Sequence, residues 1–91
     1  MGDVIMKKYI KDATKIFELE NDLQDISNAD NKNIEDYTQK EVVEEAEYIL
    51  SCFYEGGHML NESLNSEDKE ERKDAEKEVK QLKNYIKKYK E

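Results

Sequence analysis

Three side chains with catalytic or metal-binding chemistry lie close together in the sequence: Cys52, Glu55 and His58. The spacing of Glu55 and His58 is that of the Glu-x-x-His element with which di-metal carboxylate bundles hold their ions. Such a centre needs two of these elements and two further glutamates that face the core, whereas this chain has one histidine. The helical repeat also places Glu55 and His58 on the outer face. We therefore expect no metal and no cofactor.

The other candidates for chemistry are a single thiol and a polar segment with the length of a calcium loop. Cys52 has no histidine or lysine one helical turn away to activate it, so we interpret it as a buried, inert thiol. Residues 30–41 carry Lys32, Ile34 and Glu35 where a calcium loop requires oxygen ligands and glycine. Glycine-rich phosphate loops and serine-based triads are not recognisable in the sequence. The sequence therefore predicts a protein that is not an enzyme.

Acidic side chains dominate the composition. The 91 residues include 23 acidic and 15 basic side chains, for a formal charge of -8. This balance argues against direct binding to nucleic acid, whose phosphates require Lys and Arg. No apolar run is long enough to span a membrane. A lone cysteine forms no intrachain disulfide, so we expect a reducing, cytoplasmic location.

Apolar residues recur at intervals of three and four in three segments, which is the spacing of amphipathic helices. The first segment predicts a helix over about residues 3–27, with Asp3 as its N-cap. Its apolar stripe consists of Met6, Tyr9, Ala13, Ile16, Leu19, Leu23 and Ile26. The polar residues that follow end the helix because their side chains compete for backbone hydrogen bonds.

The second segment has the clearest start signal in the chain. Thr38 and Glu41 have the spacing of a capping box, and Tyr37 and Val42 have that of a hydrophobic staple. The predicted helix spans about residues 38–64, and its wide apolar face indicates contact with two neighbours. The heptad repeat stays in phase across the glycine pair at 56–57. We therefore favour a close helix crossing at this pair over a break in the helix.

The third segment predicts a helix over about residues 66–90. Short links between three helices of similar length predict an all-α, antiparallel three-helix bundle in one domain of residues 1–91. In that arrangement the first and third helices are parallel, and the basic start of the first lies beside the acidic start of the third. The acidic start of the second helix lies beside the basic end of the third. Each exposed pair is worth about 0–1 kcal/mol, but together they favour this topology.

With catalysis excluded, we expect a non-enzymatic protein-binding module. A compact acidic protein suits a small inhibitor or adaptor that occupies a basic surface of a nucleic-acid-handling partner, with carboxylates in place of phosphates. Small phage or mobile-element proteins, such as blockers of a host defence nuclease, and antitoxins fit this composition. Exposed tyrosines beside glutamates are typical of interfaces. The predicted partner-binding residues are Glu18, Asp22, Asp25, Glu41, Glu44, Glu47, Tyr48, Tyr54 and Glu55. The alternative is a structural subunit that forms a homodimer through its second helix.

Overall fold

The computed structural model describes residues 7–90, which form five α-helices and one 3₁₀ turn. The helices are α1 (Lys8–Ala13), α2 (Phe17–Asp30), α3 (Gln39–Phe53), α4 (Met59–Leu64) and α5 (Lys69–Tyr89), and the 3₁₀ turn is Ile34–Asp36. The predicted all-α class is confirmed. The predicted count of three helices is not, because each of the first two predicted helices is divided into two. The predicted N-cap Asp3 and the stripe residue Met6 lie outside the described residues.

The first predicted helix is broken between α1 and α2. The Thr14 hydroxyl donates to the carbonyl oxygen of Lys11 at 2.9 Å, a side-chain bond that competes with continuation of the helix. Ile16 then adopts an extended conformation with φ -100° and ψ 114° and precedes α2. Ile16 is buried, so the break serves packing. Helix α2 also extends past residue 27 and ends where Asn31 takes the left-handed conformation, with φ 53°.

The second predicted helix is broken at the glycine pair, which corrects the expected close crossing. Gly57 has a φ of +87°, which an α-helix does not contain. A Cβ atom added at Gly56 meets no other atom within 4 Å, so no neighbouring helix approaches there. The Asn61 side chain donates to the carbonyl oxygen of Phe53 at 2.8 Å and satisfies the end of α3. His58 Nδ1 accepts from the amide of Leu60 at 3.1 Å and caps α4.

Two helix starts carry the side-chain caps that their sequences specify. Both bonds of the predicted capping box are present: Thr38 Oγ1 accepts from the Glu41 amide, and Glu41 accepts from the Thr38 amide. The staple residues Tyr37 and Val42 are both buried, so this prediction is confirmed. Helix α5 starts slightly later than expected, after Asp68 accepts from two amides of its first turn.

One cluster of buried side chains joins the helices. It consists of Ile10, Ala13, Ile16, Leu19, Leu23, Tyr37, Val42, Val43, Ala46, Ile49, Phe53, Ala75, Val79, Leu82 and Tyr85. Leu60 and Leu64 of α4 pack against this cluster. Cys52 is also buried, as predicted. Burial of each large aliphatic or aromatic side chain contributes about 1.5–3 kcal/mol, so this cluster is the main stabilising feature of the fold.

Contacts between helices define their directions. Helix α2 is antiparallel to α3: Tyr37 donates to Asp30 at 3.0 Å, while Phe17, at the other end of α2, shares a groove with Phe53. Helix α5 is also antiparallel to α3, because Gln39 donates to the Tyr89 carbonyl oxygen at 2.7 Å. The acidic start of the second predicted helix therefore does lie beside the basic end of the third.

Helix α1 lies against the C-terminal half of α5, which corrects the predicted charge pairing. The Tyr85 hydroxyl donates to the Tyr9 carbonyl oxygen at 2.8 Å, and Lys88 donates to Asp12 at 3.1 Å. The basic start of the chain thus meets the basic end of α5 rather than its acidic start. The break before α2 permits this placement, and Asp12 supplies the opposite charge, with a further hydrogen bond from Tyr89.

Candidate acidic binding surface

The negative charge of the protein is concentrated in one part of the chain. Residues 18–47 carry eleven acidic and two basic side chains, whereas the rest of the chain carries twelve acidic and thirteen basic ones. This segment comprises most of α2, the 3₁₀ turn and the first half of α3, which pack side by side. The chain outside this segment is therefore close to neutral, and the net charge belongs to the α2–α3 pair.

What we call the acidic face consists of five carboxylates. Asp22, Asp25, Glu41 and Glu45 follow the seam between α2 and α3, and Glu44 lies beside them on the outer side of α3, where it lines a groove with Gln39 and Lys90. The antiparallel register places Asp22 beside Glu45, and Asp25 one turn farther along, level with the start of α3. Asp25, Glu41 and Glu44 are exposed. The acidic face is therefore shared by two neighbouring helices and includes carboxylates that a partner can reach.

Asp22 and Glu45 form a like-charged pair at the centre of this face. Burial and the neighbouring Asp22 carboxylate raise the pKa of Glu45 to about 7. Tyr48 lies next to this pair, and its pKa is raised by a hydrogen bond with Cys52 and by the nearby carboxylates. Tyr48 is 59% exposed, so its ring is available to a partner.

Glu41 has a different electrostatic environment at the end of the face. The backbone and side-chain hydrogen bonds of Thr38 lower the pKa of Glu41. Lys32 approaches Glu41 at 4.0 Å and lies 4.3 Å from the centre of the Tyr37 ring. Glu41 therefore combines a structural role, the capping box, with its place on the acidic face.

The structure does not bring all nine predicted binding residues together. Asp22, Asp25, Glu41 and Tyr48 lie along the α2–α3 seam. Glu44 lies on the outer side of α3, between this seam and the edge that faces α5. Glu47 points to the opposite edge of α3, where it pairs with Lys90 at 2.7 Å. Tyr54 lies on that edge too, 5.6 Å from Lys83 Nζ, and Glu55 is exposed in the link between α3 and α4.

The ninth predicted residue, Glu18, lies at the start of α2 beside α5. Burial, together with the charge of Asp22, raises the pKa of Glu18. Its neighbour across the helix interface is Glu78, whose pKa is raised to about 7 by burial and by the Glu18 charge. Glu18 and Glu78 therefore form a second pair of like-charged, partly buried carboxylates.

Glu45 and Glu78 were not among the predicted binding residues, although both occupy the same kind of position. Each follows a buried residue by three positions and precedes another by four: Val42 and Ile49 for Glu45, Ala75 and Leu82 for Glu78. On a helix these spacings place a side chain at the border of the apolar stripe. This pattern is the sequence signal that identifies a carboxylate at a helix interface.

The described residues hold neither a cluster of metal ligands nor a membrane-spanning helix. Between residues 7 and 90, no group of three or more His, Cys, Asp or Glu side chains is arranged to hold a metal ion. Within that range, no helix has the length and apolar character needed to cross a membrane. Comparisons with protein-family models, curated proteins and solved structures give no match.

Proposed function

We propose that the protein is a non-enzymatic binding module whose acidic face covers a basic surface of a partner protein. The observation that carries this proposal is the location of the net charge on α2 and α3. A row of carboxylates on a helical scaffold resembles the charge of a phosphate backbone. The favoured partner is therefore a nucleic-acid-handling protein, and the favoured role is that of an inhibitor or adaptor, as in small phage proteins and antitoxins.

The electrostatics of the acidic face support this proposal. The four ion pairs within residues 7–90 include Glu41 but none of Asp22, Asp25, Glu44 and Glu45. These charges repel one another, and a basic surface relieves that repulsion. A concentrated charge also steers encounter and raises association rates by about 10–1,000-fold at low salt. Tyr48 supplies an exposed aromatic ring at the centre, which is the residue type that contributes most to interface affinity.

The alternative, a homodimer through the second predicted helix, is less well supported. The apolar face that would pair with a second copy consists of Val42, Val43, Ala46, Ile49, Cys52 and Phe53. All six side chains are buried by other parts of the same chain. A dimer through α3 would use its outer face, where the carboxylates of two copies would repel each other.

The test is affinity capture from the native source cells with matched charge reversals. One variant carries Asp25→Lys and Glu44→Lys on the acidic face. The control carries Glu62→Lys and Glu76→Lys, two exposed acidic residues of α4 and α5, and has the same net charge. We expect the control to retain a partner that elutes with rising salt, and the acidic-face variant to lose it.

Competition then identifies the kind of partner surface. Added duplex DNA or RNA displaces the protein if it occupies a nucleic-acid site. Equal capture by the two charge-reversed variants contradicts the proposed face. If the wild-type chain captures only further copies of itself, the homodimer replaces the inhibitor or adaptor as the preferred function.

A further inference from the structure

A groove of about 470 Å³ lies between the start of α2, α4 and α5. Apolar side chains that line it include Phe17, Phe53, Leu60 and Ala75. Phe53 and Ala75 are buried, whereas Phe17 is 66% exposed. Phe17 does not pack against the buried cluster, so core packing does not explain an apolar side chain at this position. The volume lies within the range of about 300–1,000 Å³ that is typical of binding pockets.

Four acidic and two basic side chains surround this apolar groove. Its charged lining residues are Lys15, Glu18, Glu71, Asp74, Lys77 and Glu78. Lys15 is 3.8 Å from Asp12, outside the groove lining. Among residues 7–90, no ion pair includes Glu18 or Glu78, although both are partly buried. The groove therefore offers an apolar surface next to two carboxylates that lack a cationic partner within the described chain.

We propose that this groove binds a basic amphipathic segment of a partner protein. An apolar side chain of that segment packs on Phe17, Phe53 and Leu60, and a neighbouring arginine or lysine lies between Glu18 and Glu78. This inference rests on the proposed function, because Glu18 lies one helical turn before Asp22 of the acidic face. The same basic partner would thus reach the groove from that face.

Charge complementarity selects this occupant over others. A second copy of the chain carries a charge of -8, which opposes its approach to the carboxylates of the groove. An anionic lipid surface would be repelled by the same carboxylates. A cationic segment gains two interactions at once, since its apolar side chain leaves water and its charge neutralises the pair of Glu18 and Glu78.

The test uses the full chain and a fluorescently labelled twelve-residue peptide with arginines, lysines and two leucines four positions apart. We expect the peptide to shift backbone amide signals around the groove in NMR spectra. Phe17→Ser weakens binding at least about tenfold, as for an aromatic anchor of an interface. The control Met59→Ser removes an apolar side chain that is 74% exposed but outside the groove lining, and leaves affinity within about twofold.

A second pair of variants tests the charged part of the site. Glu78→Gln removes the groove carboxylate, and Glu76→Gln removes an exposed carboxylate of the same helix that does not line the groove. We expect Glu78→Gln to weaken binding about three- to tenfold, and Glu76→Gln to have no effect. A peptide with serines in place of the leucines binds as weakly as the Phe17→Ser variant does.

Three results overturn the groove proposal. These are equal affinity of the Phe17→Ser and Met59→Ser variants, equal affinity of the leucine and serine peptides, and no binding up to about 1 mM peptide. Amide shifts confined to the surroundings of Asp25 and Glu44 also overturn the groove, but they support the acidic face. The capture experiment with Asp25→Lys and Glu44→Lys decides the proposed function independently of these peptides.

Discussion

Replacing Glu45 and Glu78 with glutamine makes the stability of the protein less dependent on pH. Both carboxylates are half-buried beside another carboxylate, Asp22 or Glu18, and the pKa of each is raised to about 7 from an ordinary 4.5. The folded protein therefore binds these two protons more tightly than the unfolded chain does. The resulting stabilisation is fully present below pH 4.5 and is lost as the pH rises through about 7.

The size of the effect follows from the two pKa values. A rise from 4.5 to about 7 corresponds to a ceiling of about 3 kcal/mol per carboxylate. Because both side chains remain partly exposed, solvent screening reduces this to about 1–2 kcal/mol each. The free energy of unfolding of the wild-type protein should thus fall by about 2–4 kcal/mol between pH 5 and pH 8. Each glutamine variant should be about 1–2 kcal/mol more stable than wild type at pH 8, since an uncharged amide replaces a carboxylate that repels its neighbour.

Urea unfolding followed by circular dichroism at constant ionic strength, from pH 5 to pH 8, measures these differences. Glu76→Gln is the matched control, because Glu76 is exposed on the same helix as Glu78. The series is repeated with His58→Asn, which removes the imidazole and keeps a side chain that can cap α4. Wild-type stability that is constant or rises from pH 5 to pH 8 would refute the reasoning. So would a Glu78→Gln variant with the pH dependence of wild type.

Three further predictions concern the helix ends and the attachment of α1. Gly57→Ala should lower the free energy of unfolding by about 1 kcal/mol, because alanine is strained at φ +87°. Gly56→Ala should raise the free energy of unfolding by about 0.5 kcal/mol, because a Cβ atom there meets no other atom. Equal effects of the two substitutions in urea unfolding would contradict the break between α3 and α4. Thr38→Ala should cost about 1 kcal/mol in the same assay through loss of the capping box, and Thr38→Ser should retain most of the wild-type stability. Asp12→Asn should lower the free energy of unfolding at pH 7 by about 1 kcal/mol, because hydrogen bonds from Tyr89 and Lys88 stabilise the Asp12 carboxylate and lower its pKa. The difference from wild type should disappear in acid, where the carboxylate is protonated. A difference that persists at pH 2 would assign the loss to packing instead.

Local signals in the sequence identify most helix segments and one boundary to the residue. The start of α3 is specified by neighbouring side chains, Thr38 with Glu41 and Tyr37 with Val42, so no distant contact is needed to predict it. The late part of α5 was equally predictable, because Val79 and Leu82 continue a regular apolar stripe that is buried as expected.

The two helix breaks were not predicted, for two different physical reasons. Ala13 and Ile16 fit a continuous stripe, and the turn at residues 14–16 is stabilised because α1 then packs on the end of α5. The break at Gly57 was not predicted because the apolar repeat continues across it. Phe53 and Leu60 both contact the core at heptad spacing, but they do so from two different helices. A repeat that stays in phase therefore does not establish that a helix is continuous.

The candidate site was predictable in composition but not in arrangement. The excess of acidic residues in 18–47 is visible in the sequence. Which of them share a face depends on the neighbouring helices: Glu47 and Tyr54 contact lysines near the end of α5, whereas Tyr48 and Asp22 meet across the α2–α3 seam. Helical spacing within α3 alone does not distinguish these two edges.

Carboxylate footprinting of the protein with its captured partner tests the acidic face most directly. A water-soluble carbodiimide and an amine label exposed carboxyl groups, and mass spectrometry locates the labels in the free and bound protein. We predict that Asp25 and Glu44 become protected in the complex, while Glu62 and Glu76 react as in the free protein. Protection of Glu62 and Glu76 with full labelling of Asp25 and Glu44 would contradict the acidic face as the binding surface.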